Sequence, residues 1–509
     1  MKRVLIILST LCTPVFLFGQ SLQEKINLIN KSSLHFQNDF SLKDKLNGDE
    51  RIGLSAAVPT RLNDTLPLPR ANYLHDDDRG YNKRYSVWIP LAEVPVINAS
   101  NWAIDRYVLN ADYAYISTET WKYNIENGWV WDEDDFPTNF SGHPYAGSWY
   151  FNAARSNGYS FCESFPFTVY GSLMWEYFGE NTQPSYNDLI NTTITGAFLG
   201  EVLYRLSSSV LDDSKRGGQR VLREVVGTVI DPVRGLNRLM QGKMWRYVPQ
   251  PIYQKEPLYL TMSGGVRQTN DGTSLNGGSY AGILNLNFMY GNPYEQFNRK
   301  PFDYFRLRLE FNSGDPKSFI NNVTGYGLLL GGTNDTSVKW RMMLGGFQHY
   351  DYWNTDSFEI GTIGLGLGAV TKLPVGKRSN WQNEIHAAGV PLGGSNNRKV
   401  TSSAEQNTDY HAYSYAGGAE IKYQTAFNFG WGEIGAEYYF YWLHTYVGVP
   451  GNNQINILRP RVSVKVLKFA SVGAEYLWYN RNDFHSDGTK LHVTTGEQRL
   501  FVTLAFENF

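Results

Sequence analysis

The chain has 509 residues, with 46 Lys and Arg against 48 Asp and Glu, 42% hydrophobic residues, 15% aromatics and 49 glycines. Nearly balanced charge supplies no basic field, so no nucleic-acid partner is expected, and two cysteines are too few for a cysteine-stapled scaffold. The high aromatic and glycine content points towards β-structure.

At the start, Lys2 and Arg3 precede an apolar run over residues 4–18 that ends at Gly19-Gln20-Ser21. The pattern reads as a secretory leader over 1–20; the run is too short for a spanning helix and contains Pro14. Cys12 lies inside it with no lipobox before it. Cleavage would leave 44 basic against 48 acidic residues and Cys162 as the sole cysteine. No later apolar stretch is long enough to cross a bilayer as a helix, so a mature chain that spans a membrane must do so as a closed barrel.

Residues 21–130 are polar and mixed, and read as an N-terminal periplasmic region. The run His75-Asp76-Asp77-Asp78-Arg79 reads as a solvated loop. Asp132-Glu133-Asp134-Asp135 lacks the glycine and closing glutamate of a calcium loop and reads as an exposed acidic turn.

Residues 131–256 carry helical signals. Ser185 followed by Asp188 is a helix-start pattern, with the helix running to about Leu206. On it Thr192, Gly196 and Gly200 lie close to one face, a small-residue spacing that admits another backbone, and Glu201 can pair with Arg205. An earlier helix is expected from Val169 to about Glu180. It carries Glu176 and Glu180 four apart, where like charges repel unless cations or protonation relieve them.

From residue 257 to 509 side chains alternate with period two. In Phe302-Asp303-Tyr304-Phe305-Arg306-Leu307-Arg308-Leu309-Glu310-Phe311, the set Phe305, Leu307, Leu309 and Phe311 shares one face and Arg306, Arg308 and Glu310 the other. Leu284 to Tyr290, Val338 to Met342, Ile434 to Trp442, Val462 to Val466 and Val472 to Trp478 repeat the pattern. Turn signals stand between them at Asn270-Asp271-Gly272, Gly291-Asn292-Pro293, Gly314-Asp315-Pro316, Pro450-Gly451-Asn452 and Asp487-Gly488. At ~10 residues per spanning strand and a similar length per link, this half holds roughly twelve strands. A soluble sandwich also alternates. The aromatic apolar faces, with Trp340, Tyr438, Trp442, Tyr476 and Trp478, and the full charges on the other faces favour a barrel in lipid.

The expected fold is therefore mainly β: a transmembrane antiparallel barrel with an N-terminal helical segment that plugs its lumen or caps its mouth. Apolar faces would meet lipid, and Arg306, Arg308, Glu310, Lys339, Arg341 and Glu437 would face a wet lumen. The last strand carries the apolar row Leu500, Val502, Leu504 and Phe506. The terminal Phe509 resembles the signal read by the outer-membrane barrel-assembly machinery, although steps of two back from it meet Glu507, Ala505 and Thr503.

The motifs His143-Pro144-Tyr145, Gly147-Ser148, Tyr150, Ala154-Arg155-Ser156-Asn157-Gly158, Trp175-Glu176-Tyr177, Pro184-Ser185, Asn187-Asp188 and Gly200-Glu201 together resemble a family of Gram-negative envelope proteins catalogued only as a domain of unknown function. The resemblance covers about residues 131–245, with the barrel following. It implies an envelope location and lends no catalytic residues. Tyr150, Arg155, Ser185, Gly196, Gly200, Glu201 and Arg205 are expected to hold helices together.

Two functions compete. One is an outer-membrane barrel in envelope transport or maintenance, with lipid and the assembly machinery as partners. The other is an envelope enzyme acting on a lipid or glycolipid, with His143, Glu176, Glu180 or Asp188 as acid, base or ligand. A purely structural barrel is a third reading. No metal or cofactor pattern is present, and none is expected.

Overall fold

The computed structural model describes residues 84–249, 256–271, 278–294, 300–314, 319–334, 340–355, 357–396 and 413–507. The expected leader, the 75–79 run, Lys339 and Phe509 lie outside the described residues.

Twelve antiparallel strands close into one barrel. They are β1 Leu258–Asp271, β2 Ser279–Tyr290, β3 Phe305–Asn312, β4 Ile320–Thr333, β5 Arg341–Asn354, β6 Glu359–Val375, β7 Ser379–Asn396, β8 Tyr413–Phe429, β9 Gly432–Val447, β10 Gly451–Lys465, β11 Ala470–His485 and β12 Lys490–Glu507. Each pairs with its neighbour in sequence, and β12 returns to β1. Closure leaves no edge strand among the described residues.

One ion pair tells inside from outside. Arg308 on β3 donates to Glu437 on β9 at 2.6 Å, and these strands stand six apart in either direction round the ring, so the bond crosses the bore. Alternation then puts Arg306, Arg308 and Glu310 inside, and Phe305, Leu307, Leu309 and Phe311 outside. Arg341 starts β5 on the inner face, at the rim where β3 also begins, exposed and across from Lys372.

The bore is filled by its own side chains, which corrects the expectation of a wet lumen in need of a plug. Arg306 meets Glu384 at 2.5 Å, and Arg499 joins Glu310 at 2.8 Å and Glu475 at 3.3 Å. Arg459 meets Glu475 at 2.6 Å, and Lys422 lies between Asp351 at 2.6 Å and Glu420 at 3.2 Å. Towards the rim made by the β5–β6 and β9–β10 turns, an apolar layer of Trp353, Phe358, Tyr439, Tyr441, Ile455, Ile457, Leu477 and Tyr479 closes the section. A cavity of about 220 Å³ remains between Arg306, Arg308, Asp351, Lys422 and Glu437. Charges buried this deeply persist because each finds a partner.

The helices are α1 Trp88–Ile104, α2 Thr118–Glu126, α3 His143–Arg155, α4 Phe161–Phe178, α5 Tyr186–Ile190, α6 Gly196–Val210, α7 Gly217–Ile230 and α8 Pro232–Met240. Their described contacts with the barrel fall on its outer wall, a second correction to the plug or cap expectation. Phe305 and Leu307, expected to face lipid, are 0% and 3% exposed because Phe198, Val202 and Leu206 of α6 belong to the same apolar cluster. The footprint climbs from Tyr290 and Phe305 at one end of β2 and β3 to Tyr352, Leu392 and Tyr413 near the opposite rim.

The wall is shaped for this. A Cβ on Gly361 or Gly394 would stand 2.2 or 2.5 Å from the ring of Phe140, so only glycine leaves the dent that the ring fills. Phe302 adopts a left-handed backbone (φ 60°) and inserts between Phe161 and Phe198, while its amide donates to the Leu328 carbonyl. Such a conformation is costly for a bulky residue, and its burial offsets the cost. Gln348 Nε2 donates to the Ile194 carbonyl at 2.7 Å, and the Tyr350 hydroxyl to the Phe140 carbonyl. Away from the footprint the outer wall stays apolar and open, with Leu284, Ile434, Val472 and Leu500 exposed.

Candidate functional site

The cluster that gathers the sequence candidates lies where the helices meet the wall near the β8 rim. Ser185 caps α5, accepting from the Asp188 amide at 3.3 Å. A π-helical turn, Asn191–Thr195, separates α5 from α6, and another, Thr138–Gly142, leads directly into His143 at the start of α3. Such wide turns re-aim side chains and are frequent at functional sites. Together they bring His143 Nε2 to 3.2 Å from Asp188 Oδ1, and Nδ1 to 3.3 Å from Thr192 Oγ1.

Asp188 also meets the Ser185 hydroxyl, and its Oδ1 accepts from Asn187 Nδ2 at 2.9 Å. The same Asn187 amide donates to Asp132 at 2.8 Å and to Asn139 Oδ1 at 2.9 Å. Asn139 Nδ2 in turn donates to the hydroxyls of Tyr413 at 2.7 Å and Tyr415 at 2.8 Å on the wall. Glu176 joins from α4, its Oε2 accepting from the Ser185 amide at 2.7 Å, while its buried Oε1 has no hydrogen-bond partner among the described residues.

Thus His143, Asp188 and, through Ser185, Glu176 converge. Glu180 does not join by a side-chain bond; its carbonyl accepts from Asn124 at 2.9 Å. Asp132 corrects the reading of an exposed acidic turn: it is half-buried and accepts from Asn139, Asn187 and Tyr415, whereas Glu133, Asp134 and Asp135 are exposed. Sequence reasoning missed Asp132, Asn139, Tyr413 and Tyr415. Asn139 and the two tyrosines carry no local signal, since their link spans about 275 residues of chain.

Burial decides protonation here. It pushes His143 down to about 4 against the pull of Asp132, raises Asp188 well above the usual carboxyl range with Glu176 adding to the effect, and raises Glu176 to about 8. Burial and the charge of Glu176 raise Glu180 as well. Asp132 goes the other way: burial opposes its charge, but hydrogen bonds from Asp188, Asn187, Asn139 and Tyr415 hold it below the normal range. Burial thus favours a neutral His143 ring and the protonated forms of Asp188 and Glu176, while the hydrogen bonds converging on Asp132 favour its charged form.

The helix-joining set forms a second network. Glu201, fully buried, accepts from Arg155 Nε and Arg205 Nε, both at 2.8 Å. Arg205 continues to Asp303 at 3.0 Å and the Pro301 carbonyl at 2.7 Å, which ties α6 to the β2–β3 link. Gly196 meets Gly147 so closely that its Cβ would stand 2.6 Å from the Gly147 Cα, and a Cβ on Gly200 would meet the Phe151 ring at 2.7 Å. The Tyr150 hydroxyl donates to Asn98. Among the described residues no group of three or more His, Cys, Asp or Glu is placed to hold a metal ion.

Residues 128–233 match a family model described as Domain of unknown function (DUF3943). The match takes in the whole cluster from Asp132 to Thr192 and the Arg155–Glu201–Arg205 network, so the family's segment is the part that grips the wall. No curated relative matches the sequence. Among solved structures, OmpT, an outer membrane protein of Vibrio cholerae, aligns at 9% identity over 49% of this chain and 96% of its own, with a TM-score of 0.23. The outer membrane channel DcaP of Acinetobacter baumannii aligns at 8% identity over 50% and 98%, with a TM-score of 0.23. At those scores the likeness adds nothing to what the closed strand order itself establishes.

Proposed function

We propose that the chain is an integral outer-membrane barrel that serves envelope maintenance through its outer wall and bound helices, and does not conduct solute through its bore. The observation that carries this reading is the Arg308–Glu437 pair between opposite strands, set among further ion pairs and an apolar layer that together occupy the bore. The apolar open wall with its exposed Leu284, Val472 and Leu500 supports residence in lipid. Export through the 1–20 leader and assembly by the barrel machinery belong to the same proposal. Purified protein in planar bilayers should show no steady ionic current. A stable ohmic conductance from the wild-type chain would overturn it.

A second reading has one observation in its favour. Thr192, His143 and Asp188 are linked hydroxyl to imidazole to carboxyl, the connectivity of a nucleophile, base and orienting acid. Thr192 is only 3% exposed, so a lipid substrate would first have to part the helices. Loss of a lipid modification in Thr192→Val and His143→Asn variants, with the barrel intact, would establish this reading. An unchanged lipid profile in both would remove it.

A further inference from the structure

The helices bury polar side chains and expose apolar ones, the reverse of a bundle that faces water. On α4, Ser164, Thr168, Ser172 and Glu176 follow one another at every fourth residue, and none is more than 1% exposed. On α7, Arg220 and Glu224 point inward at 8% and 7% exposure, while Val221, Leu222, Val225 and Val229 stand out at 54–74%. On α8, Arg234 and Arg238 are each 3% exposed, and Leu236, Leu239 and Met240 stand out at 44–59%. The inward charges are satisfied within the bundle: Arg238 meets both Asp213 at 2.6 Å and Glu224 at 2.7 Å, and Arg220 meets the same two acids.

We propose that this bundle is itself immersed in the bilayer beside the barrel, with the apolar faces of α7 and α8 against lipid acyl chains; this rests on the outer-membrane reading of the barrel. Height is the second argument. The footprint on the outer wall rises from Phe305, the first residue of β3, to Tyr413, the first residue of β8 at the other rim. Residues Phe198, Val202 and Leu206 of α6 cover that wall, and α7 joins α6 at its Phe305 end, where Ile230 packs against the same cluster and Ser207 Oγ donates to the Gly227 carbonyl at 3.0 Å, beside uncovered wall that meets hydrocarbon with Leu284 and Leu500. The far side of these helices is then bathed by the same phase. None of the described helices is long and apolar enough to cross a membrane alone. Here each needs only one apolar flank, because its polar stripe is turned to its neighbours.

The test places single cysteines, in a chain without its native ones, at Val225, Val229 and Leu239, with Leu500 as wall control and exposed Lys215 as water control. Each is spin-labelled in phosphatidylethanolamine–phosphatidylglycerol vesicles and read by collision with oxygen, which partitions into lipid, and with a water-soluble nickel chelate. The expected result is an oxygen-to-nickel accessibility ratio several-fold above that at Lys215 for all three helix sites, ranking with Leu500. Helix sites that rank with Lys215 while Leu500 stays lipid-like would overturn the inference and leave the barrel reading standing. Sites reached by neither reagent would overturn it too, by showing a protein cover, either another stretch of this chain or a second copy. If Leu500 itself ranks with Lys215, the outer-membrane reading fails first, and the inference with it.

Discussion

Arg308 and Glu437 face each other from opposite walls of the barrel, with two parallel hydrogen bonds joining guanidinium to carboxylate. A fork of this kind combines geometry with charge, and its removal from one side leaves the other ion buried and uncompensated. Arg308→Ala should therefore cost ~3–5 kcal/mol, whereas the double change with Glu437→Ala should cost clearly less than the sum of the singles. The midpoint of heat-modifiable gel migration or of urea unfolding reads the difference. Additive losses would show that the pair is not coupled.

Current measurements follow from the same layer. On the proposal that these side chains block the bore, only a change inside it should admit ions. A chain carrying both Arg308→Ser and Glu437→Ser should leak more than wild type in planar bilayers, while Tyr415→Phe, on the outer wall, should leave the wild-type silence intact. A leak from the wall variant would point to a path outside the bore.

Helix contact offers a graded test. A side chain on Gly196 would strike the Gly147 backbone, which cannot move without shifting α3, whereas one on Gly200 strikes the buried Phe151 side chain, its ring at 2.7 Å and its Cβ at 2.9 Å, which has to shift within the core. Gly196→Leu should therefore damage assembly more than Gly200→Leu, by ~1–3 kcal/mol or more. The partly buried Leu199 on the same helix serves as the control. Barrel yield and trypsin resistance of the helices would rank Leu199→Ala, Gly200→Leu and Gly196→Leu in that order of harm.

The rim cluster should respond to pH from both sides. Glu176 is raised in the folded chain to about 8, so its neutral form contributes stability that is complete below the ordinary carboxyl range and is lost as pH rises through 8. His143 is lowered to about 4, so its contribution is complete above the ordinary imidazole range near 6.5 and is lost as pH falls through 4. Thermal loss of near-ultraviolet dichroism should come earlier at pH 9 than at pH 6, and Glu176→Gln should flatten that alkaline slope. An unchanged slope in the variant would place the titrating group elsewhere.

Asn139 joins the cluster to the wall by bonds to two tyrosine hydroxyls. Tyr415→Phe removes one of them and the bond to Asp132, at a cost of ~1–2 kcal/mol, and should raise hydrogen exchange in α3 and α5 with little effect on strand amides. Equal exchange in both proteins would mean that the apolar contacts of Phe136 and Phe140 hold the helices unaided.

Alternation along residues 257–509 determined the strands, their number and which side chains share a face, because period two is a property of the extended backbone itself. Short-range signals were equally legible, from the Ser185-x-x-Asp188 start to the Gly196 and Gly200 spacing; the Ser160-x-x-Glu163 capping box that starts α4 early at Phe161 was there to be read as well. What each face meets is a different matter. Phe305 and Leu307 have the pattern of lipid-facing residues and are covered by α6, and Arg308 has the pattern of a water-facing residue and is paired across the bore. Periodicity records that two environments exist, but whether the apolar one is lipid or a helix, and the polar one water or an opposite charge, depends on groups brought from elsewhere in the chain. Only the closure of the ring sets Arg308 against Glu437. Only the seat of the helices on the outer wall joins Asp132 and Asn139 to Tyr413 and Tyr415.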